Sequence, residues 1–465
     1  MAAYVVYNPL WSDSVTYPTG TTVNVTIDGV ETALTIGTDA FGSYDEAITQ
    51  ANGKTILAIG DQTTRFVSTV GGDRNILLDG NNGSQISTPI AYYAGVDSIN
   101  LDGSATLTIK NISWTDPNNK LGIYAGSRLT GVEGTQTSGT LIVENSDLYT
   151  DLRGGGLAGN NATGRQGSAE VIVRNTSVSG YDDNYNNTWP GRIFGAGIAE
   201  GTDAKFYVTE ATVVCENVTG VTVRLPDGTI SYQEGVRIYG GGQAYGGTTY
   251  SETGTTNVQV SGSESAISEI YGGGISSGTA KVDVRAQVVV STSTSLSVTD
   301  AMVSDIISGG NNSNMFGYSR VGTEGVTDQQ TVITLSLTNV NASTAFVMGG
   351  SFADSYYYGH DGYASTAEVF GNIETTINGG SYSVFAGGGI AMFSNDAGTD
   401  TKVALPSSTV KGNITSTING GTFETIVGGG IAISFDDKIL ADSTVTGNVT
   451  TILSNTTVSG SPIAG

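Results

Sequence analysis

Short stretches of alternating apolar and polar residues recur along most of the chain, and many of them end in asparagine. In Leu107-x-Ile109-x-Asn111 the two apolar residues fall on one face of a strand, because successive side chains point to opposite sides. Asn378 and Asn419, each within Thr-Ile-Asn-Gly-Gly, are assigned to the same place in later copies. The pattern predicts strands that end at a corner asparagine, namely Asn111, Asn145, Asn175, Asn217, Asn339, Asn378 and Asn419.

A second recurring element is an apolar pair followed by glycines, as in Leu152-Arg153-Gly154-Gly155-Gly156. Its copies lie 32 to 45 residues apart, a period typical of solenoids. We expect these glycines to provide positive φ angles and to let stacked backbones approach closely. We expect the asparagines to point inward and to form a hydrogen-bonded ladder. The aligned positions are Gly154, Gly195, Gly240, Gly272, Ser308, Met348, Gly387 and Gly428.

Together the two elements predict an all-β fold, a single-stranded right-handed parallel β-helix. It would occupy residues 56–465 with about ten to eleven coils. Extra residues follow the asparagine corner after Asn175 and Asn217, and follow the glycine corner in later coils, so loops are expected on two edges. No capping element is evident over residues 440–465, and a bare end would invite pairing with another strand.

Residues 1–55 differ from the repeats and predict a hairpin followed by a short helix. Val23-x-Val25-x-Ile27 alternates before an Asp-Gly turn, and Ser43-Tyr44-Asp45-Glu46 is a capping box. The segment VVYNPLWSD … GTDAFGSYDEAITQANGKTILAIGD resembles the entry segment of bacterial surface proteins with a pectin-lyase-like parallel β-helix, of the adhesin or autotransporter-passenger type. The resemblance implies that the helix caps the solenoid and that the protein is exported to the cell surface.

Charge and composition narrow the range of functions. The chain has 465 residues, with 43 acidic and 19 basic side chains, and its formal net charge of −24 disfavours nucleic acid and anionic membranes as partners. One cysteine and one histidine exclude an intrachain disulfide and a multi-histidine zinc site. No apolar run approaches the ~18 residues of a membrane span, and the first residues lack the pattern of a signal peptide.

Two loops carry the candidate ligand-binding side chains. The first mixes aromatic rings with carboxylates, which suits stacking on sugars, recognition of hydroxyl groups or a Ca²⁺ site. Its candidates are Tyr181, Asp182, Asp183, Tyr185 and Trp189. The second contains four tyrosines and the histidine, and its candidates are Tyr356, Tyr357, Tyr358, His360, Asp361 and Tyr363. The alternative for both loops is that the rings pack onto the solenoid.

Other possible sites have simpler interpretations. Asp79-Gly80-Asn81-Asn82-Gly83 has oxygen ligands that suit calcium, but it lacks the glutamate that completes an EF-hand loop, so a plain turn is favoured. Cys215 occupies an inward strand position and is expected to be a small core side chain. No cofactor and no metal site are therefore expected.

Three classes of function remain. We expect a non-catalytic, adhesin-like display scaffold at the bacterial cell surface or secreted, whose partner is a glycan or a protein on a host or neighbouring cell. The alternatives are a self-assembling surface-layer or filament subunit that associates through the solenoid ends, and a β-helical polysaccharide lyase or hydrolase. Asp182-Asp183 and Gly359-His360-Asp361 do not match the order and spacing of pectin-hydrolase motifs.

Overall fold

The computed structural model describes the chain in ranges separated by gaps. These ranges are 3–6, 18–27, 30–41, 55–59, 68–70, 75–79, 98–101, 104–111, 113–114, 122–182, 188–220, 222–224, 230–233, 235–277, 286–312, 317–355, 365–393, 406–434 and 441–460. They contain strands, turns and bends but no helix. The helix predicted from Ser43 lies outside the described residues.

The strands up to the first complete coils are β1 (Ala3–Val6), β2 (Thr22–Ile27), β3 (Val30–Thr35), β4 (Ala40–Phe41), β5 (Thr55–Ile59), β6 (Ser68–Val70), β7 (Asn75–Asp79), β8 (Ser98–Leu101), β9 (Ser104–Lys110), β10 (Ser113–Trp114), β11 (Gly122–Tyr124), β12 (Arg128–Leu129), β13 (Glu133–Glu144), β14 (Asp147–Tyr149), β15 (Asp151–Arg153) and β16 (Leu157–Ala158).

The central strands are β17 (Thr163–Asp182), β18 (Thr188–Pro190), β19 (Arg192–Phe194), β20 (Ile198–Glu200), β21 (Lys205–Thr219), β22 (Thr222–Arg224), β23 (Ile230–Gln233), β24 (Val236–Tyr239), β25 (Gln243–Tyr245), β26 (Tyr250–Ser261), β27 (Ala266–Tyr271), β28 (Ile275–Ser277), β29 (Gln287–Thr299), β30 (Met302–Ile307), β31 (Asn311–Asn312) and β32 (Tyr318–Val321).

The remaining strands are β33 (Thr331–Thr338), β34 (Asn341–Met348), β35 (Phe352–Ser355), β36 (Thr366–Phe370), β37 (Asn372–Asn378), β38 (Ser381–Ala386), β39 (Ile390–Phe393), β40 (Ser407–Lys411), β41 (Ile414–Asn419), β42 (Thr422–Val427), β43 (Ile431–Ser434), β44 (Asp442–Val445), β45 (Val449–Ser454) and β46 (Thr457–Val458).

Most of these strands stack in parallel into three sheets, which we call the long, middle and short faces. The long face has 21 strands, and its main ladder is β1-β5-β7-β9-β13-β17-β21-β26-β29-β33-β37-β41-β45. The middle face has twelve strands, from β6 to β46, and the short face has nine, from β12 to β43. Each next strand of a face comes one turn later in the chain, so the described strands form a parallel β-solenoid.

One coil runs through the three faces in a fixed order. β19 of the middle face leads through Gly195–Gly197 to β20 of the short face, and β21 then crosses the long face to the asparagine corner at Asn217. Parallel strands stack about 4.8 Å apart, so twelve levels span roughly 55 Å. The predicted all-β, parallel architecture is therefore confirmed.

The start of the chain joins the solenoid in two ways. β2 and β3 form the predicted antiparallel hairpin, in which Ile27 lies opposite Val30. β1 pairs in parallel with β5 and with β4, a contribution to the long face that the alternation in the sequence did not predict. Thr55–Ile59 is a strand, as expected.

The core contains columns of side chains that repeat from one level to the next. In the long-face ladder one column is aligned by strand pairing and each member is at most 2% exposed; it consists of Ile109, Val143, Val173, Cys215, Val260, Val298, Leu337, Ile377 and Ile418. The prediction that Cys215 is a core side chain is confirmed, and burial raises the pKa of its thiol well above the usual value. The column holds successive coils in register, because a one-residue slip would turn it outward.

The asparagine corner differs from the prediction in direction and, in two copies, in register. Asn111, Asn145, Asn175, Asn217 and Asn339 have φ between 47° and 55°, the left-handed region that asparagine tolerates. Their side chains do not point inward but lie on the exposed or half-buried outer corner. The expected ladder is present there, since Asn217 Nδ2 donates to Asn175 Oδ1 at 3.1 Å.

Asn378 and Asn419 lie one residue before this left-handed position. Asn378 pairs with Thr338 rather than with Asn339, and Asn419 pairs with Asn378. The left-handed residues of these coils are Gly379 and Gly420, with φ of 74° and 94°. The two asparagines still bond to each other, at 3.1 Å from Asn419 Nδ2 to Asn378 Oδ1.

The glycines of the glycine corner are needed only because the backbones of successive coils approach each other closely there. Gly154, Gly195 and Gly240 are not among the residues with positive φ, so that part of the prediction is wrong. A Cβ on Gly154 would lie only 2.2 Å from the carbonyl oxygen of Gly195. The N–H of each corner residue donates to the carbonyl of the residue just before the corner residue of the next coil, as Gly154 does to Phe194. Ser308 N–H donates in this way to Met348 O, and Gly349 N–H donates to Ala386 O. The corner residue after Ser308 is therefore Gly349 and not Met348, which the sequence predicted.

Candidate functional site

The first predicted loop leaves the solenoid as an antiparallel excursion. The backbones of Tyr181 and Asp182 end β17, and that of Trp189 lies in β18, with Asp182 opposite Thr188. Asp183 and Tyr185 lie outside the described residues. A second excursion, the antiparallel pair β22 and β23, follows the next asparagine corner, where the residue spacing also predicted an insertion.

The second predicted loop begins on another edge. The chain leaves the short face at the end of β35, where Asp354 is paired with Met392, and returns to the long face at β36. The candidates of this loop, Tyr356, Tyr357, Tyr358, His360, Asp361 and Tyr363, all lie outside the described residues. The two loops depart from different sides of the coil, as the spacing predicted, and the described backbone does not bring them together.

The clearest concentration of chemistry among the described residues lies instead between the middle and short faces. Successive side chains of a middle-face strand point in opposite directions, one into the main core and the next toward the short face on the outside of the coil. Ile193 and Phe194 are therefore both fully buried but belong to different clusters. Short-face side chains such as Ile275 and Ile390 pack against the same cluster as Phe194. We call this concave region the groove.

An aromatic row lines the groove, one residue from each coil. The rings of Phe194 and Tyr239 stack with centroids 4.6 Å apart, and those of Tyr239 and Tyr271 with centroids 4.8 Å apart. In the coil before Phe194 the same position is Arg153, whose guanidinium carbon lies 4.1 Å from the Phe194 ring centroid and 5.8 Å from that of Tyr124. A buried cation therefore replaces one aromatic ring and is stabilised by the faces of its neighbours.

Hydrogen bonds hold Arg153 in this place. Its side chain is 3% exposed, and Nη2 donates to Asp151 Oδ2 at 3.0 Å and to Gln243 Oε1 at 3.2 Å. Nε and Nη1 are buried without a hydrogen-bond partner within the described part of the chain. Leaving donors unpaired is costly, so Arg153 is a feature of the groove that packing alone does not explain.

A charged row runs beside the aromatic row, two residues earlier in each strand. Arg192 Nε donates to Asp151 Oδ1 at 3.0 Å, and Arg237 Nη2 lies 3.2 Å from Glu269 Oε1. Burial alone would raise the pKa of Asp151, but the guanidinium groups of Arg192 and Arg153 outweigh it and hold the pKa below its usual value. Asp151 therefore remains ionised and serves as a fixed acceptor.

The last carboxylate of this row behaves differently. The pKa of Asp305 is raised to about 6, mainly because the carboxyl group is buried. Glu269 also raises it, whereas the hydrogen bond from the N–H of Phe346 and the charge of Arg237 lower it. Phe346 N donates to Asp305 Oδ1 at 2.9 Å. Glu269 and Asp305 are in register on adjacent strands, and the Arg237 guanidinium lies against Glu269.

At the Arg153 end the groove opens into a pocket of about 660 Å³. Its walls include Arg128, Asp151, Arg192 and Glu200, and Tyr245 at the rim is 49% exposed. A second pocket, of about 590 Å³, lies on the long face, where the Arg165 guanidinium covers the Tyr207 ring at 4.4 Å. The pocket at Arg153 is the candidate functional site, because it combines buried charge, aromatic surface and open volume.

Sequence reasoning did not identify the residues of this pocket. Arg153 and Phe194 each occupy the second place of the pair before the glycines, a pattern that indicates packing and does not distinguish the charged residue two places earlier. The signal was present as an alternation in Asp151-x-Arg153, Arg192-x-Phe194, Arg237-x-Tyr239 and Glu269-x-Tyr271. In a parallel solenoid such matching positions form two neighbouring rows.

Within the described ranges no cluster of three or more potential metal ligands occurs, and no helix is both long and apolar enough to span a membrane. Asp79 ends β7, and the rest of the possible calcium segment lies outside the described residues. Comparison of the chain with protein-family models, with curated proteins and with solved structures finds no match.

Proposed function

We propose that this chain is a rigid, non-catalytic display scaffold of the bacterial cell surface, adhesin-like and of the pectin-lyase-like, right-handed β-helical type. Right-handedness is supported by the strong general preference of crossover connections between parallel strands. The proposed partner is a glycan or a surface protein of a host or neighbouring cell. The loops that contain Tyr181 and Tyr356 would present contact residues.

The observation that carries the proposal is the unbroken core column from Ile109 to Ile418. Each step joins adjacent coils through ladder hydrogen bonds and buried contacts, so the scaffold resists bending along its axis. Loops on two edges of such a rod are held at fixed separations. Recognition sites are commonly carried by loops on a rigid support.

The pocket at Arg153 supports a binding role over a catalytic one. Acid–base catalysis of glycoside cleavage needs a carboxyl group that gains and loses a proton near the working pH. Asp151, the carboxylate next to Arg153, is instead paired with Arg192 and kept ionised. This pairing suits a permanent hydrogen-bond acceptor.

Adhesion tests the proposal directly. Beads coated with the protein should bind cultured bacterial or epithelial cells, and replacement of residues 354–363 or 181–189 by Gly/Ser of equal length should reduce binding. An equal-length replacement of residues 394–405, which also follow the glycine corner, is the matched control and should leave binding unchanged. Failure of the unaltered protein to bind any cell type would remove the adhesin assignment.

Self-assembly into a filament or surface layer is the second candidate. Leu453 is the next residue in the column after Ile418, yet it is 43% exposed while Ile418 is fully buried. Among the described residues β45 pairs only with β41, and an exposed apolar residue on such a strand favours pairing with a further parallel strand, here proposed to come from another copy. Light scattering should then show assemblies that Leu453→Glu weakens, and a strict monomer at high concentration contradicts this candidate.

A polysaccharide hydrolase is the third candidate, and the pair Glu269 and Asp305 favours it. A carboxyl group with a pKa of about 6 beside a second carboxylate is an arrangement used in glycoside hydrolysis. Release of reducing sugar from a neutral polysaccharide, abolished by Asp305→Asn but not by Asp182→Ala, would establish this role. Equal background activity of all three proteins would exclude it.

A further inference from the structure

We infer that the pocket at Arg153 binds one saccharide unit, neutral or with a single carboxylate. This inference deepens the proposed adhesive function, on which it rests, by assigning the ligand class to the groove rather than to the loops. The volume of about 660 Å³ lies within the range of small-molecule sites.

The pocket presents donors, acceptors and an aromatic face together. Arg128 and Arg192 supply guanidinium groups, and Tyr245 offers an exposed ring. The carboxylates are Glu200 and Asp151, of which Asp151 already accepts hydrogen bonds from Arg192 and Arg153. Sugar hydroxyl groups both donate and accept hydrogen bonds, so a ring of planar polar side chains suits them. The apolar face of a sugar ring stacks on an aromatic side chain.

Arg153 places a buried positive charge at the base of the pocket. The rings of Tyr124 and Phe194 cover its guanidinium, so it acts through its field and through the acceptors it orients, Asp151 and Gln243. The three arginines and two carboxylates of the pocket give a local formal charge of about +1 in a chain of −24. One ligand carboxylate is therefore favoured, while a polyanion is repelled by the rest of the molecule.

A peptide strand does not fit this site as well. Peptides that add to a sheet need an edge with unpaired backbone groups. Most strands around the pocket, such as β15 and β19 of the middle face and β16 and β20 of the short face, have a partner on both sides, and among the described residues only β12, at one end, is an edge strand. Recognition in the body of the pocket therefore comes from side chains.

An array of defined oligosaccharides that are neutral, singly acidic or multiply acidic tests the inference on the full chain. We expect binding to neutral or singly acidic members. Tyr245→Ala should weaken the best of these by about tenfold, the effect of losing one stacking contact, and Glu200→Gln should weaken it by several-fold. Tyr207→Ala, outside the pocket, is the matched control and should have no effect, and thermal melts verify that all variants fold.

Several outcomes overturn the inference. They are binding to no saccharide, preference for multiply acidic saccharides or for acidic peptides, and unchanged binding by Tyr245→Ala. If saccharide binding is lost on replacement of residues 354–363 but survives Tyr245→Ala, the adhesive function stands and the groove assignment fails. If Tyr245→Ala abolishes saccharide binding in a protein that adheres to no cell, the groove assignment stands and the adhesive function fails.

Discussion

The two corners of each coil are both built from small residues, yet they meet different steric demands. At the asparagine corner the backbone enters the left-handed region, with φ of 47° at Asn175, and the side chain is exposed. At the glycine corner φ is not positive, but a Cβ on Gly195 would lie 2.1 Å from the carbonyl oxygen of Gly240. The first corner therefore requires a residue that tolerates a positive φ, and the second requires a residue without a Cβ.

The largest effect is expected at the glycine corner. Gly195→Ala forces a methyl group against the backbone of the next coil, which cannot rotate away as a side chain can, and should destabilise the protein by at least ~2 kcal/mol. Chemical denaturation measures the loss. Gly131→Ala is the control, because Gly131 has a φ of 65° but no atom within 4 Å of a new Cβ, so only backbone strain is added. Equal losses in both variants would show that close approach of the next coil adds nothing to the cost at Gly195.

Charge next to the glycine corner makes this side of the coil sensitive to pH. The pKa of Asp305 is raised to about 6 from an ordinary value of 3.8, so its contribution to stability is full below pH 3.8 and is lost as the pH rises through 6. Asp305→Asn keeps an acceptor for Phe346 N–H and removes the charge. The variant should be more stable than the parent by roughly 3 kcal/mol at pH 8 and equal to it at pH 3.5.

Denaturation curves of both proteins across this pH range provide the measurement. The difference in free energy of unfolding should grow between pH 4 and pH 6 and then level off. A constant difference at every pH would mean that packing, rather than ionisation, separates the two proteins. A parent that gains stability relative to the variant as the pH rises would show that Asp305 is stabilised as the carboxylate.

A smaller effect is expected at the asparagine corner. Asn175 accepts from Asn217 and donates to Asn145, so Asn175→Ala loses two exposed hydrogen bonds and leaves alanine in the left-handed region, at a cost of about 1 kcal/mol. Asn175→Gly loses the same bonds but relieves the strain, and should recover about half of that loss. Urea midpoints of the two variants would coincide if backbone strain were unimportant.

Periodicity in the sequence predicted the solenoid because each coil must repeat the same contacts. The strand at Thr55–Ile59, the hairpin at β2 and β3, and the insertion at β22 and β23 all followed from alternation or spacing. What failed was exact alignment: asparagine and glycine both accept positive φ, so Thr-Ile-Asn-Gly-Gly allows two registers that composition cannot separate.

The groove was harder to predict than the coil. Arg153 looks like part of an apolar pair, and its burial depends on Tyr124 and Phe194, which come from the coils before and after it. Its partner Gln243 is 90 residues away in the chain. Such contacts become visible only after the coils are stacked in register, because no local pattern specifies which rows lie side by side.

The smallest expected effect distinguishes the two registers at the asparagine corner. Asn378 precedes the left-handed residue Gly379, so Asn378→Ala should lose only its exposed bond with Asn419, a few tenths of a kcal/mol. Asn339→Ala, at the left-handed position itself, also acquires strain and should cost about 1 kcal/mol. Gly379→Ala extends the comparison, since it must cost more than Asn378→Ala if Gly379 holds the corner. If the urea midpoints of all three variants were equal, Asn378 rather than Gly379 would be the corner residue of its coil, as the sequence pattern predicted.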